Sequence, residues 1–199
     1  MSDRSFRLMT SPERAFWYDR ELSEAFAENE RKPFAEIVRL IGEGRYELWG
    51  LFGPDGRMLG YAGLWMSPDV PLVLLDYLGV TASLRGGGLG AEMLAHLRAR
   101  GTPLVLESEL PVPDGDPADN AIRVRRIAFY RRCGFVPVYE MATCGMHWQA
   151  MCINADGIPA AELMRMHRAL YGAARSDVCI PIAPDAPAPL PYWMRAKEE

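Results

Sequence analysis

Residues 85 to 90 read RGGGLG, set between an apolar run, PLVLLDYLGV, and an amphipathic one, AEMLAHLRAR. Consecutive small residues at the start of a helix let backbone amides converge on an anion, and the helix dipole there favours negative charge. The stretch therefore predicts a phosphate-bearing ligand. A Walker loop does not fit, because no Gly-Lys-Ser/Thr follows at the required spacing. Gly86, Gly88 and Ala91 do satisfy the GxGxxA of a dinucleotide fingerprint, with Glu107 roughly 20 residues on. In that fingerprint, however, the first glycine follows its strand almost directly, whereas TASLR separates Val80 from Gly86. A turn alone would account for one or two of the four glycines.

The elements that must position this loop follow from periodicity. SFRLMT reads as a short first strand. Ser11 is a candidate N-cap with Pro12 at the first helical position, and Tyr18, Leu22, Ala25 and Phe26 recur at helical spacing. A second helix carries Phe34, Ile37, Val38 and Ile41 on one face. RYELWGLF, the turn GPDG and RMLGYAGLWM form a hairpin by their period of two. PLVLLDYLGV is apolar enough to be a central strand buried on both faces. Strand, glycine helix and the strand TPLVLESE make a parallel crossover. Then come the loop LPVPDGDPADN, the helix AIRVRRIAFYRR and strands GFVPVYEM and MHWQAMCI. A last helix, AAELMRMHRALYG, carries Leu163, Met166, His167 and Leu170 on one stripe, so His167 reads as a core residue. The proline-rich CIPIAPDAPAPLPYW reads as an extended surface arm.

Composition bounds the function. The chain has 199 residues, 49% hydrophobic and 24% charged, which suits one sizeable core. A net charge of -4 argues against a nucleic-acid partner, since phosphate binding needs a concentrated positive field. No apolar run approaches the ~20 residues of a membrane span, and MSDRSFRLMT lacks a signal-peptide core, so a cytoplasmic protein with no membrane partner is expected. Cys133, Cys144, Cys152 and Cys179 have no CxxC spacing and make no ligand cluster with His96, His147 or His167. No metal is expected.

At this point the sequence resembles the GCN5-related N-acetyltransferase (GNAT) family. The family signature Arg/Gln-x-x-Gly-x-Gly/Ala is matched by Arg85, Gly86, Gly87, Gly88, Leu89 and Gly90, preceded by the strand LDYLGV. A second motif, AFYRRCGF, resembles the family's helix-to-strand junction through Tyr130, Gly134 and Phe135. The resemblance covers roughly residues 5 to 153. It implies an α+β fold, layered α/β/α, with a mixed, centrally splayed sheet flanked by helices. Residues 1–153 are then the acetyltransferase domain, and residues 154–199 a C-terminal helix and proline-rich extension packed on it or extending from it.

The same resemblance implies acetyl-CoA as co-substrate, with an N-acetyltransferase moving the acetyl group to a primary amine of a small molecule or peptide. Amides of Gly86 to Ala91 would cradle the pyrophosphate, and Leu78 and Val80 would offer main-chain groups to the pantetheine like an added strand. A main-chain N–H of residues 77–80 would serve the tetrahedral oxyanion. Where the family often has asparagine, seven residues before the tyrosine, this chain has Arg123; it or Arg126 would meet a phosphate instead. Tyr130 is the candidate acid and Glu107 the candidate base, with Glu109, Asp76 and Glu47 as alternatives. Five carboxylates and no basic residue in LESELPVPDGDPADN (106–120) predict a cationic acceptor. The same fold also admits a catalytically silent acyl-CoA-binding or sensing domain, and it allows a homodimer.

Overall fold

The computed structural model describes residues 4–26, 31–173 and 175–190. Strands β1 (Ser5–Leu8), β2 (Tyr46–Phe52), β3 (Met58–Ser67), β4 (Val70–Val80), β5 (Leu104–Glu109), β6 (Val136–Thr143) and β7 (Met146–Ile153) form one mixed sheet. Its strand order is β1-β2-β3-β4-β5-β7-β6. The helices are α1 (Ser11–Phe16), α2 (Ser23–Ala25), α3 (Phe34–Gly42), α4 (Leu89–Arg98), α5 (Pro117–Arg132) and α6 (Ala160–Tyr171). This is the α+β architecture expected from the sequence. The chain divides into two compact units: residues up to Pro68 with Leu75–Gly101, and Asp69–Leu74 with the residues from Thr102 onward.

In the first unit β1, β2 and β3 are antiparallel neighbours, with Phe6 opposite Leu51 and Leu51 opposite Gly60. The GPDG turn closes their hairpin through Gly53 N–H to the Arg57 carbonyl at 2.9 Å. α1 starts one residue earlier than the proline suggests. Thr10 is the N-cap, because Glu13 reaches back to its main-chain N–H at 2.7 Å. The helix then widens into a π-helical stretch, Trp17–Leu22, before α2. Trp17 and Leu22, five residues apart, are both fully buried. An α-helix would point side chains five apart in divergent directions, whereas a π turn brings them to one side. The stripe expected at Tyr18, Leu22, Ala25 and Phe26 is displaced accordingly. Under α4, Leu51, Leu89 and Met93 are buried against Phe6, Leu59, Leu78, Val80 and Leu84.

In the second unit β7 pairs antiparallel with β5 on one side and β6 on the other. Asp116 caps α5, its carboxylate accepting from the N–H groups of Ala118 (2.8 Å) and Asp119 (3.1 Å), with Pro117 in the first turn. α6 buries Leu163, Met166, His167 and Leu170, as its stripe predicts. The proline-rich arm runs along β6, the last strand of the sheet. Cys179 exchanges two main-chain bonds with Ala142, Ile182 N–H reaches the Glu140 carbonyl, and His147 Nε2 donates to the Ala186 carbonyl at 2.8 Å. The arm thus blunts a sheet edge that would otherwise present open hydrogen-bonding groups. Residues 191–193 of the predicted arm lie outside the described residues.

Candidate active site

The glycine loop belongs to the first unit. After β4 a single 3₁₀ turn, Ala82–Leu84, leads to an extended Arg85 whose Nε lies 3.4 Å from the Val80 carbonyl. Gly86 and Gly88 have φ of 85° and 80°, the left-handed region that other residues avoid. A Cβ at either position would meet open space, so the backbone angle, not crowding, requires glycine there. Gly88 is the N-cap of α4, and no side chain caps that helix. The first helical bond is Glu92 N–H to the Gly88 carbonyl, which leaves the amides before Glu92 without a helical carbonyl. Residues 85 to 88 are exposed, while Leu89, Met93, Leu94 and Leu97 anchor the helix below them. The loop therefore offers a row of polarised, solvent-facing N–H groups on a fixed base, and an anion is what such a row binds.

Leu78 and Val80 send their side chains into the cluster under α4, so what β4 has to offer a ligand there is main chain. Gly79 between them belongs to neither motif. A Cβ on it would collide with the Tyr61 ring, so the ring lies flush against the β4 backbone. A glycine inside an otherwise apolar strand is the signal that marks such a close approach. Of the alternative bases, Asp76 accepts from Tyr46 O–H at 2.6 Å and pairs with Lys32 at 2.7 Å. Glu47 accepts from Trp49 Nε1 at 2.8 Å and Arg100 at 2.9 Å.

In the second unit Tyr130 lies in the last turn of α5, its ring against Phe129 and Phe135 at centroid distances of 5.3 and 5.9 Å. Its carbonyl receives the N–H groups of Cys133 and Phe135, each at 3.1 Å, which fixes the helix-to-strand junction. Burial pushes its phenol up to about 12, with the Arg126 charge a smaller opposing influence. Glu107, on β5, is held by α6. Tyr171 O–H donates to Glu107 Oε1 at 2.7 Å, and His167 Nε2 lies 3.0 Å from the same oxygen. The other ring nitrogen of His167, Nδ1, is 3.0 Å from Tyr139 O–H. Nε2 makes no aligned hydrogen bond with Glu107 Oε1, so the bond that holds Glu107 is the one from Tyr171.

The acidic loop is less available than its sequence suggests. Glu109 is paired with Arg123 Nε at 2.9 Å and Arg126 Nη1 at 3.0 Å, so each of the two alternative phosphate partners faces a carboxylate. Asp116 is spent as a helix cap. Tyr171 and His167 escaped motif reading because their partner lies more than 50 residues away in sequence, and nothing local announces it. Among the described residues, no group of three or more His, Cys, Asp or Glu is placed to hold a metal, and no helix is long and apolar enough to cross a membrane.

Comparison with known proteins converges with this geometry. In Bacillus subtilis (strain 168), the protein named "Putative acetyltransferase YjbC" is 34% identical over 116 residues, 58% of this chain. The chain spans about half of that relative, 54% of its length. A GNAT-family structure from Bacteroides thetaiotaomicron superposes with a TM-score of 0.63 at 22% identity, covering 84% of this chain and 98% of the other. Spermidine N-acetyltransferase from Vibrio cholerae, solved with CoA and spermine, gives 0.58 at 11% identity over 75% and 94%. Ribosomal-protein-S18-alanine N-acetyltransferase from Escherichia coli gives 0.53 at 20% identity over 75% and 92%. At such identities these structures share the fold. The family model described as "Acetyltransferase (GNAT) family" matches residues 12–135, a span that holds the glycine loop, Tyr130 and the Gly134-Phe135 junction; the chain belongs to the acetyltransferase (GNAT) family.

Proposed function

We propose that this protein is a cytoplasmic N-acetyltransferase that moves an acetyl group from acetyl-CoA to a primary amine of a small molecule or peptide, by direct attack of the amine on the thioester. The observation that carries the reading is the glycine loop: left-handed Gly86 and Gly88, exposed, opening a helix that no side chain caps. In this reading Arg85 and the amides of Gly86, Gly87, Gly88, Leu89, Gly90 and Ala91 hold the pyrophosphate. The main chain at Leu78 and Val80 takes the pantetheine as an added strand, and a main-chain N–H of residues 77–80 receives the oxyanion. Residues 1–153 form the catalytic domain, with residues 154–199 as its extension.

Tyr130 is assigned to the departing thiolate. With the phenol near 12 and a thiol near ~8.5, full proton transfer is uphill by roughly 5 kcal/mol, so Tyr130 acts by donating a hydrogen bond. Glu107 is assigned to the proton of the acceptor ammonium. Its Oε1 is engaged by Tyr171, so the accepting role falls to Oε2. The amine substrates named for the Vibrio and Escherichia enzymes support an amine acceptor here. The test is an acetyl-CoA thiol-release screen across polyamines, amino acids, aminoglycosides and peptide N-termini. Release with an amine supports the reading. Tight acetyl-CoA binding without release for any acceptor would leave a silent acyl-CoA-binding domain.

A further inference from the structure

Lys32 sits in a box whose chemistry is specific for its head group. Nζ lies 2.7 and 2.8 Å from the two oxygens of Asp76. It also lies 4.6 Å from the centroid of the Trp65 ring and 5.5 Å from that of Tyr77. Tyr46 donates its O–H to Asp76 Oδ2 at 2.6 Å. Burial, and after it the Asp76 charge, holds the Tyr46 phenol well above its ordinary range, so it remains a donor. A carboxylate facing an ammonium, backed by aromatic faces, is the arrangement that recognises alkylammonium ions.

The lysine reaches this box from the connection before α3, where its main-chain N–H donates to Tyr77 O–H and its carbonyl accepts from Tyr18 O–H, each at 3.0 Å. Lys32 and Lys197 are the chain's two lysines among 22 basic residues; arginine supplies every other cation. The position thus holds a cationic side chain whose head group matches an alkylamine. Asp76 also precedes Leu78 by two residues on β4, about 7 Å along the strand proposed to take the pantetheine.

We propose that Asp76, Tyr46, Trp65 and Tyr77 form a binding site for a primary alkylammonium group, occupied in cis by Lys32, which an acceptor amine displaces. The proposal rests on the reading of this chain as an amine acetyltransferase. A tethered group competes at an effective concentration in the millimolar range, and an acceptor's apparent affinity falls by the fraction of time the box is vacant. The acceptor carries the same head group, so the exchange is like for like: one ammonium leaves Asp76 as another arrives. A neutral or anionic acceptor has no means of displacing Lys32.

Lys32→Ala empties the box while keeping its walls. n-Butylammonium is expected to raise the Tm of folded Lys32→Ala by several degrees more than that of wild type, and n-butanol is expected to raise neither. Lys32→Ala combined with Asp76→Asn loses the gain. With n-butylamine as acceptor, KM falls about tenfold in Lys32→Ala. A folded Lys32→Ala that responds to n-butylammonium no more than wild type does, or no more than to n-butanol, or that leaves KM unchanged, overturns the proposal. Should the variant not fold, the 15N resonance of the Lys32 ammonium in wild type decides: titrated n-butylammonium moves it toward the free-lysine position, and an unmoved signal overturns the proposal. Thiol release by wild type is read separately, so an enzyme that acetylates amines without this site is distinguished from a protein that binds n-butylammonium and transfers nothing.

Discussion

Tyr171, the last residue of α6, donates its phenolic O–H to Glu107 Oε1 at 2.7 Å. The helix lies beyond the span matched by the family, yet it fixes the rotamer of a carboxylate within that span. Without that bond the carboxylate is free to turn away from an acceptor amine. Tyr171→Phe should therefore lower kcat/KM several-fold with acetyl-CoA affinity unchanged. Glu107→Gln should lower it further. A kcat/KM equal to wild type in both variants would make Glu107 and Tyr171 a structural pair.

Gly88 at φ 80° should resist a β-branched side chain far more than an asparagine, which tolerates the left-handed region. Gly88→Val is expected to weaken acetyl-CoA binding at least tenfold with the fold preserved, and Gly88→Asn by only a few-fold. Calorimetric titration of each folded variant measures this. Undiminished affinity in Gly88→Val would remove the anion-cradle assignment.

Tyr130→Phe deletes a hydroxyl and keeps the ring against Phe129 and Phe135. Coenzyme affinity should survive while kcat falls between about ten- and a thousandfold, the range for a positioned donor or somewhat below it. A rate equal to wild type with the same acceptor would leave Tyr130 as a packing residue.

Asp177 supplies a stability prediction. It is 1% exposed, and its burial alone would raise its pKa, but hydrogen bonds and charge from Arg175, with Cys144 N–H and Thr143 O–H, bring it down to about 2. A carboxyl depressed in the folded state stabilises it above the unfolded pKa, near ~3.9, and loses that contribution as pH falls through the folded value. The contribution is about 2 kcal/mol at neutral pH. Asp177→Asn should thus lower unfolding free energy most above about pH 4, with the gap to wild type closing toward pH 2. Urea unfolding across that range tests it, and a gap independent of pH would refute the titration.

The elements and the loop were legible in the sequence because their causes are local. Period-two alternation around GPDG, glycines that alone accept left-handed φ at 86 and 88, and a buried stripe at Leu163, Met166, His167 and Leu170 each depend on residues a few positions apart. The N-cap of α1 at Thr10 and the π turn that buries Trp17 with Leu22 were not, since a capping carboxylate and the demand of the core outweighed the spacing. The state of the carboxylates on β5 was a matter of tertiary structure. Glu107, Glu109 and Asp116 look alike in a row of carboxylates, yet Asp116 caps α5 through its near neighbours, whereas Glu107 is held by α6 and Glu109 faces two arginines. Lys32 and Asp76 are 44 residues apart, and neither carries a motif. Short-range steric and hydrogen-bonding rules act through neighbours in the chain, whereas charge pairing acts through space, and only the folded chain brings such partners within 3 Å.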